Sequence, residues 1–154
     1  MRKAFPILIL FILTLYPGLT GKVGAQSLNH EVQQCLRTRI EAMFVGTRIV
    51  VRDELIYDSV VLHSFYEDRT FEPVWSKNGV PTSQVNALLK AISGADIEGL
   101  DPGHYHLSKI SDIVGGLSHG KRKRTGVDPG RLTDLDLLLT DAFLLHGSHL
   151  LGGE

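Results

Sequence analysis

The C-terminal segment of the chain limits its fold most narrowly. Residues 133–151 read TDLDLLLTDAFLLHGSHLL, a length without proline in which leucines fall on most sides of a helix. A surface helix has one apolar face, whereas a helix that is apolar on most sides is surrounded by other elements. The segment therefore predicts a central buried helix from about Thr133 to Leu151. Thr133 and Asp136 have the spacing of a capping box at its start.

Four further segments are predicted to be helices that pack around this one. Ser27–Phe44 has apolar residues at helical spacing, with Ser27 as N-cap and Gly46 after its end. Another helix starts at Asp101–Pro102, because aspartate caps helices and proline fits their first turn. The other two run over about Asp58–Asp68 and from Pro81–Thr82 to about Ala95, and their predicted core-facing residues are Val61, Leu62, Phe65, Val85, Leu88, Leu89 and Ile92.

The segments between the helices contain strand, turn and linker signals. Ile49–Val51 and Leu55–Ile56 flank three polar residues and predict one short β-hairpin, although two strands alone are marginal. Asn78-Gly79 predicts a turn. Residues 115–130 are predicted to be a glycine-rich linker, and Lys121–Arg124 within it is a basic run that is either a solvated loop or a contact for an anionic polymer. The predicted fold class is mainly α, a small helical bundle-like domain with one short hairpin.

The first 25 residues have the three parts of a secretory signal peptide. Arg2 and Lys3 precede an apolar run over Ala4–Tyr16, and Val23-Gly24-Ala25 supplies the small residues that a signal peptidase reads. A membrane anchor is the alternative, but a bilayer span takes about 20 apolar residues and this run is shorter. We therefore expect cleavage after Ala25, export, and no stable membrane anchor afterwards.

The remaining domain, residues 26–154, has mildly acidic composition. Residues 1–25 carry three basic and no acidic side chains, so their removal changes the formal charge from −1 to −4. This charge gives no reason to expect nucleic acid as a partner. The single cysteine excludes an intramolecular disulfide.

The cysteine and histidine residues give little indication of a nucleophile or a metal site. Cys35 lies in the middle of the first predicted helix, which favours a buried, unreactive thiol over a nucleophile. His146 and His149 have helical spacing, but a third ligand is not evident, and we predict no metal and no cofactor. Taken alone, the residues predict no catalytic site.

Aromatic side chains concentrate in the stretch FYEDRTFEPVW, residues 65–75, which contains the only tryptophan, Trp75. Large aromatic rings serve both as core and as binding platforms. We favour a core that holds the segment Phe71–Trp75 against the last helix. The alternative is a sugar-stacking surface, for which the candidate substrate-binding residues are Tyr66, Trp75 and Tyr105.

Five blocks of the chain, in order, resemble the scaffold domain of bacterial murein L,D-transpeptidases. The stretch 65–75 resembles its F-Y-x-x-R-x-F-x-P-x-W segment, and residues 87–92 resemble the next helix. EGLDPGHYHL, residues 98–107, is similar to H-G-L-D-P-x-x-Y-H-L, with Glu98 in place of histidine. Residues 136–143 resemble D-x-x-L-T-D-A-F, and residues 149–153 the closing H-L-x-x-G.

The resemblance implies a role in peptidoglycan cross-linking in the periplasm of a Gram-negative bacterium. In this family a cysteine, activated by histidine, attacks a tetrapeptide stem, releases D-alanine and passes the acyl group to diaminopimelate on a neighbouring stem. That cysteine lies downstream in an S-x-G-C motif, which the 154 residues do not contain, so no catalytic residue is carried over. The expected partner is peptidoglycan or a C-terminal or associated catalytic domain. The alternative is a stand-alone periplasmic module that binds peptidoglycan or a wall enzyme.

Overall fold

A computed structural model describes residues 20–43, 49–120 and 126–152 of the chain. Within these residues the chain forms five α-helices, two antiparallel hairpins and two 3-10 turns. The helices are α1 (Thr20–Ala42), α2 (Ser59–Asp68), α3 (Ser83–Ser93), α4 (Leu107–Gly120) and α5 (Pro129–Gly152). The strands are β1 (Val50–Val51), β2 (Glu54–Leu55), β3 (Ser76–Lys77) and β4 (Val80–Pro81), and the 3-10 turns are Ala95–Glu98 and Pro102–Tyr105. The predicted mainly α class is confirmed.

Helix α5 is the centre of the domain, as its composition predicts. All eleven residues from Leu132 to Ala142 are buried, which requires neighbours on every side of the helix. Those neighbours include α1, α3, α4 and the second 3-10 turn. None of the helices in the described ranges has an apolar stretch of the kind that crosses a membrane.

The start of α5 differs from the predicted capping box. The helix begins at Pro129, and the carboxylate of Asp128 accepts a hydrogen bond from the amide of Gly130 at 2.9 Å. Thr133 therefore lies inside the helix, where its hydroxyl donates to the carbonyl of Pro129 at 2.9 Å. The capping box at Thr133 and Asp136 was wrong, because proline at the first position already starts the helix one turn earlier.

Helix α1 packs along α5 through Val32, Leu36 and Ile40, which are buried at four-residue spacing. It extends back to Thr20, so the predicted N-cap at Ser27 was wrong. Ser27 instead donates a hydrogen bond to Glu31 one turn along the helix, at 2.9 Å. Residues 1–19, and with them most of the predicted signal peptide, lie outside the described residues, as do Phe44 and Gly46.

Helix α2 begins after Asp58, whose carboxylate accepts a hydrogen bond from the amide of Val61 at 3.0 Å. Its fully buried residues are Leu62 and Tyr66. The predicted core positions were partly wrong, since Val61 is 44% exposed and Phe65 is half-buried. The buried pair is four residues apart and forms one narrow stripe, beside which positions 61 and 65 lie.

Helix α3 begins at Ser83, after Thr82. Its predicted apolar stripe is confirmed at Val85, Leu88 and Ile92, which are buried, while Leu89 is half-buried at the edge of the core.

Two hairpins form within the described residues where one was predicted. The predicted one pairs Val50 with Leu55, and its turn residues Arg52 and Asp53 have positive φ values of 51° and 68°. The second pairs β3 with β4 around Asn78-Gly79, at φ 54° and 75°. Positive φ at both central residues is the geometry that hairpin twist favours, and Asn-Gly adopts it readily.

The region between the last two helices is more helical than predicted. Residues 115–120 belong to α4, so a linker beginning at residue 115 was wrong. The basic run Lys121–Arg124 lies outside the described residues.

At the other end of α4, Asp101 and Pro102 start a 3-10 turn instead of a long helix, with the amide of Gly103 donating to Asp101 at 2.8 Å. His106 then takes a left-handed conformation, φ 56°, and α4 begins after it.

We expect Trp75→Ala to lower the free energy of unfolding by about 3–5 kcal/mol, because the indole is nearly fully buried against α5. Trp75→Phe keeps most of the apolar ring area but removes the indole hydrogen bond, so it should lower the free energy of unfolding by only about 1 kcal/mol. Phe143 is the matched control, because its ring centroid lies 6.2 Å from that of Trp75 but its side chain is 51% exposed. Urea denaturation measures all three. Equal losses for Trp75→Ala and Phe143→Ala would show that Trp75 is no anchor of the core.

Candidate functional site

Three carboxylates of α5 are buried: Asp134, Asp136 and Asp141. Burying an ionised carboxylate is costly unless hydrogen bonds or opposite charges compensate it. Each of the three is compensated by a different part of the chain. Their partners therefore show what this helix organises.

Asp136 is fully buried and accepts three hydrogen bonds. Its Oδ1 accepts from the Tyr66 hydroxyl at 2.7 Å and from the backbone amide of Val74 at 3.0 Å. Its Oδ2 accepts from the backbone amide of Trp75 at 3.0 Å. The irregular segment after α2 is thus tied to the central helix by its own backbone.

Thr140, one turn after Asp136, extends the same set of bonds. Its hydroxyl lies 2.8 Å from the Tyr66 hydroxyl and accepts from the indole nitrogen of Trp75 at 2.9 Å. Because Tyr66 donates to the carboxylate, Thr140 supplies the donor to Tyr66. The bonds form a directed chain from Trp75 through Thr140 and Tyr66 to Asp136, which we call the α5 polar network.

Burial perturbs both titratable members of this network. It raises the pKa of Asp136 from 3.8 to about 6, although hydrogen bonds from Val74, Tyr66 and Trp75 act in the opposite direction. Burial, together with the negative charge of Asp136, holds the pKa of Tyr66 well above its usual value of 10.0. The carboxylate is therefore the charged member at neutral pH and the phenol the donor.

Asp141 holds a second group of elements. Its carboxylate accepts from the backbone amide of Tyr57, at 3.1 Å, just before α2, and lies 2.8 Å from Nε2 of His106. The other ring nitrogen of His106 is 3.0 Å from Glu54 on β2. Burial alone would lower the pKa of His106, but the hydrogen bonds to both carboxylates raise it above 6.5. With acceptors on both nitrogens, the ring is held as imidazolium.

Asp134, near the start of α5, is compensated by two arginines. Arg39 of α1 and Arg52 in the turn of the first hairpin each contact one of its carboxylate oxygens. A non-glycine residue such as Arg52 at φ 51° costs of order 1–3 kcal/mol in backbone strain. The ion pair helps hold this turn in place.

The three candidate substrate-binding residues lie inside the domain. Tyr66 and Tyr105 are fully buried, and Trp75 is 6% exposed. Tyr66 and Trp75 belong to the α5 polar network, and the Tyr105 hydroxyl is 2.8 Å from Nδ1 of His149. A ligand would reach these rings only if the core opened, and their contacts are those of core residues.

Cys35 is half-buried, not buried as predicted. It lies beside the stripe of Val32, Leu36 and Ile40 and borders a shallow recess with Thr38 and Arg39. The His146 ring packs edge-on against the Tyr105 ring, with 5.0 Å between the ring centroids. Within the described ranges, no three His, Cys, Asp or Glu side chains are grouped as a metal site would require.

Sequence reasoning missed the polar contacts of α5. Apart from the capping box at Thr133 and Asp136, it assigned no contact to the polar residues of this helix, yet Asp136, Thr140 and Asp141 are buried on a helix that was itself predicted to be buried. That combination was the available signal, because polar residues inside a central helix need partners.

We expect Asp136→Asn to lower the free energy of unfolding by about 1–3 kcal/mol, because its amide nitrogen would face a backbone donor. The difference from wild type should depend on pH. Since folding raises the pKa of Asp136 to about 6, its protonation contributes stability that is fully present below its ordinary pKa of 3.8 and lost as pH rises through 6. The wild-type advantage should therefore shrink from pH 4 to pH 7 in denaturation curves. Exposed Asp112→Asn corrects for net charge, and an advantage that grows with pH would contradict the assignment.

A known protein family matches most of the residues that form these contacts. The family described as "Scaffold domain" matches residues 61–154, more than half of the chain and all of α5 that the structure describes. No curated protein and no solved structure matches the chain significantly. The chain belongs to the Scaffold domain family, consistent with its resemblance to the scaffold domain of murein L,D-transpeptidases.

Proposed function

We propose that this chain is the scaffold portion of an L,D-transpeptidase-like protein that acts in peptidoglycan cross-linking and cell-wall biogenesis. One observation carries the proposal. The blocks that resemble the family contain four residues whose polar groups need hydrogen-bond partners when buried. They bond to each other in the core, and they are Tyr66, Trp75, Asp136 and Thr140. These blocks therefore specify a fold, which is what a scaffold requires, and the family match supports that role.

In this proposal a separate catalytic domain, C-terminal or associated, makes the new bond. Its cysteine would attack the stem peptide and transfer the acyl group, which requires a thiolate beside a base in a site open to substrate. The three acids of α5 and His106 are buried, and each has its partners within the domain. Their part is to fix the shape against which the catalytic domain works.

The direct test combines the full chain with a separately produced L,D-transpeptidase catalytic domain and tetrapeptide muropeptides. Mass spectrometry after chromatography measures cross-linked dimers and released D-alanine. We expect no product from this chain alone and more product from the mixture than from the catalytic domain alone. Product from this chain alone, or no gain in the mixture, would contradict the proposal.

A stand-alone peptidoglycan-binding module is the second candidate, favoured by two exposed aromatic rings. Tyr57 and Phe143 are 53% and 51% exposed, and exposed aromatics provide binding area. This candidate holds if the chain sediments with purified sacculi while the mixture above shows no gain in cross-linking.

We also propose export to the periplasm of a Gram-negative bacterium after cleavage behind Ala25. Cleavage there leaves the buried residues of α1, from Val32 onward, in the mature domain. Expression in a Gram-negative host should place the protein in the periplasmic fraction with Gln26 as its first residue, read by mass spectrometry of the intact protein. A cytoplasmic protein that retains Met1 would contradict this expectation.

A further inference from the structure

His106 is the titratable side chain at which three separate parts of the chain meet. The side chain is 2% exposed, and each of its ring nitrogens faces a carboxylate. Nε2 lies 2.8 Å from Asp141 of α5, and Nδ1 lies 3.0 Å from Glu54 of β2. The first hairpin is therefore joined to the central helix through one histidine, which directly precedes α4.

The groups that face this ring from other elements add no second positive charge. Tyr57, just before α2, lies beside it with 6.0 Å between the ring centroids. The next carboxylate along the chain, that of Asp58, caps α2. Arg52 in the hairpin turn contacts Asp134. No lysine or arginine of the described residues forms an ion pair with either carboxylate that faces the ring.

The neighbours of the ring along the chain have other partners. Nε2 of His104 lies 3.8 Å from Asp101, and the Tyr105 hydroxyl lies 2.8 Å from Nδ1 of His149. The charge of the cluster is therefore set by three groups, which are two carboxylates and one imidazole.

Deprotonation of this ring must break one of its two contacts. A neutral imidazole carries one N–H, so it donates to one carboxylate and turns a lone pair towards the other. The Asp141 side chain is 2% exposed and water cannot replace its donor, whereas the Glu54 side chain is 32% exposed and can be hydrated. The remaining proton therefore stays on Nε2, and the contact with Glu54 is lost.

We propose that His106 is a pH-sensitive latch, which holds the first hairpin on the core while both ring nitrogens are protonated and releases Glu54 when Nδ1 loses its proton. The hairpin keeps its other attachments, which include the ion pair of Arg52 with Asp134 and the buried side chain of Val51. Release therefore makes local opening of the hairpin easier without unfolding the domain. The inference depends on this cluster alone, not on the cross-linking role.

The direction of the pH effect follows from the contacts. Burial lowers the pKa of His106, but the hydrogen bonds to the two carboxylates raise it above its ordinary value of 6.5. A group whose pKa is raised on folding contributes stability that is fully present below its unfolded-state pKa and is lost as pH rises through its folded-state pKa. The latch is therefore closed below pH 6.5 and opens at a higher pH.

Nuclear magnetic resonance of the histidine ring nitrogens in the full chain tests the protonation step, between about pH 5 and about pH 9. We expect both nitrogens of His106 to be protonated at the low end of this range and Nε2 alone to be protonated at the high end. A proton retained on Nδ1 instead of Nε2, or a ring that does not titrate in this range, would overturn the inference.

Amide hydrogen exchange tests the opening step. The amide of Ile56 donates to the carbonyl of Ile49 at 2.9 Å across the hairpin, so its exchange reports on hairpin opening. Its protection factor, the exchange rate of an unstructured amide divided by the observed rate, corrects for the pH dependence of exchange itself. We expect this factor to fall about 3- to 10-fold as pH rises through the titration of His106, because one partly exposed, charged hydrogen bond is lost.

Glu54→Gln is the informative variant, because it removes the charge and keeps the contact. Its amide oxygen accepts from Nδ1–H of the imidazolium, and its amide nitrogen donates to the bare Nδ1 of the neutral ring. The protection factor of Ile56 should therefore be nearly independent of pH in this variant. His104→Gln is the matched control, since it removes a nearby imidazole that is 61% exposed, and here the protection factor should fall as in the wild type.

Three exchange results would also overturn the inference. They are a wild-type protection factor that does not fall, a fall that Glu54→Gln retains in full, and a fall that His104→Gln abolishes. These measurements use neither a catalytic domain nor peptidoglycan, so the latch can fail while the cross-linking gain succeeds, and the reverse.

Discussion

The buried carboxylate of Asp136 is the constraint on which much of this structure depends. An ionised group in the centre of a helical core is tolerated only where donors surround it, and here two of the three donors are backbone amides of consecutive residues. The irregular segment at Val74–Trp75 must therefore lie against α5. The preceding turn takes positive φ at Thr70 and Phe71, 54° and 62°, a strained path that these bonds help to maintain.

The same arrangement recurs along α5. Asp134 contacts arginines from α1 and the first hairpin, and Asp141 binds the chain before α2 together with His106 before α4. Leucines between these acids fill the core on all sides. Apolar packing stabilises the bundle, while the acids specify which connecting segment lies where, because a misplaced segment would leave a buried charge without partners. This division suits a protein whose contribution is a fixed shape.

The pattern of apolar residues was sufficient to predict the mainly α class and the first hairpin. It also predicted the central position of the last helix, because a helix that is apolar on most sides must be buried. It did not predict the polar contacts, since the partners of Asp136 lie more than sixty residues away in the chain. The predicted helix starts at Ser27 and Thr133 were wrong, because both helices begin earlier in the chain than these local cap signals indicate.

Amide hydrogen exchange in the native state tests most directly whether Asp136 fixes the Val74–Trp75 segment to the core. If it does, the amides of Val74 and Trp75 exchange only when the whole domain unfolds, with the same opening free energy as those of Leu137 and Leu138 in the centre of α5. Exchange of Val74 and Trp75 through a low-energy local opening, while the leucines stay protected, would contradict the account.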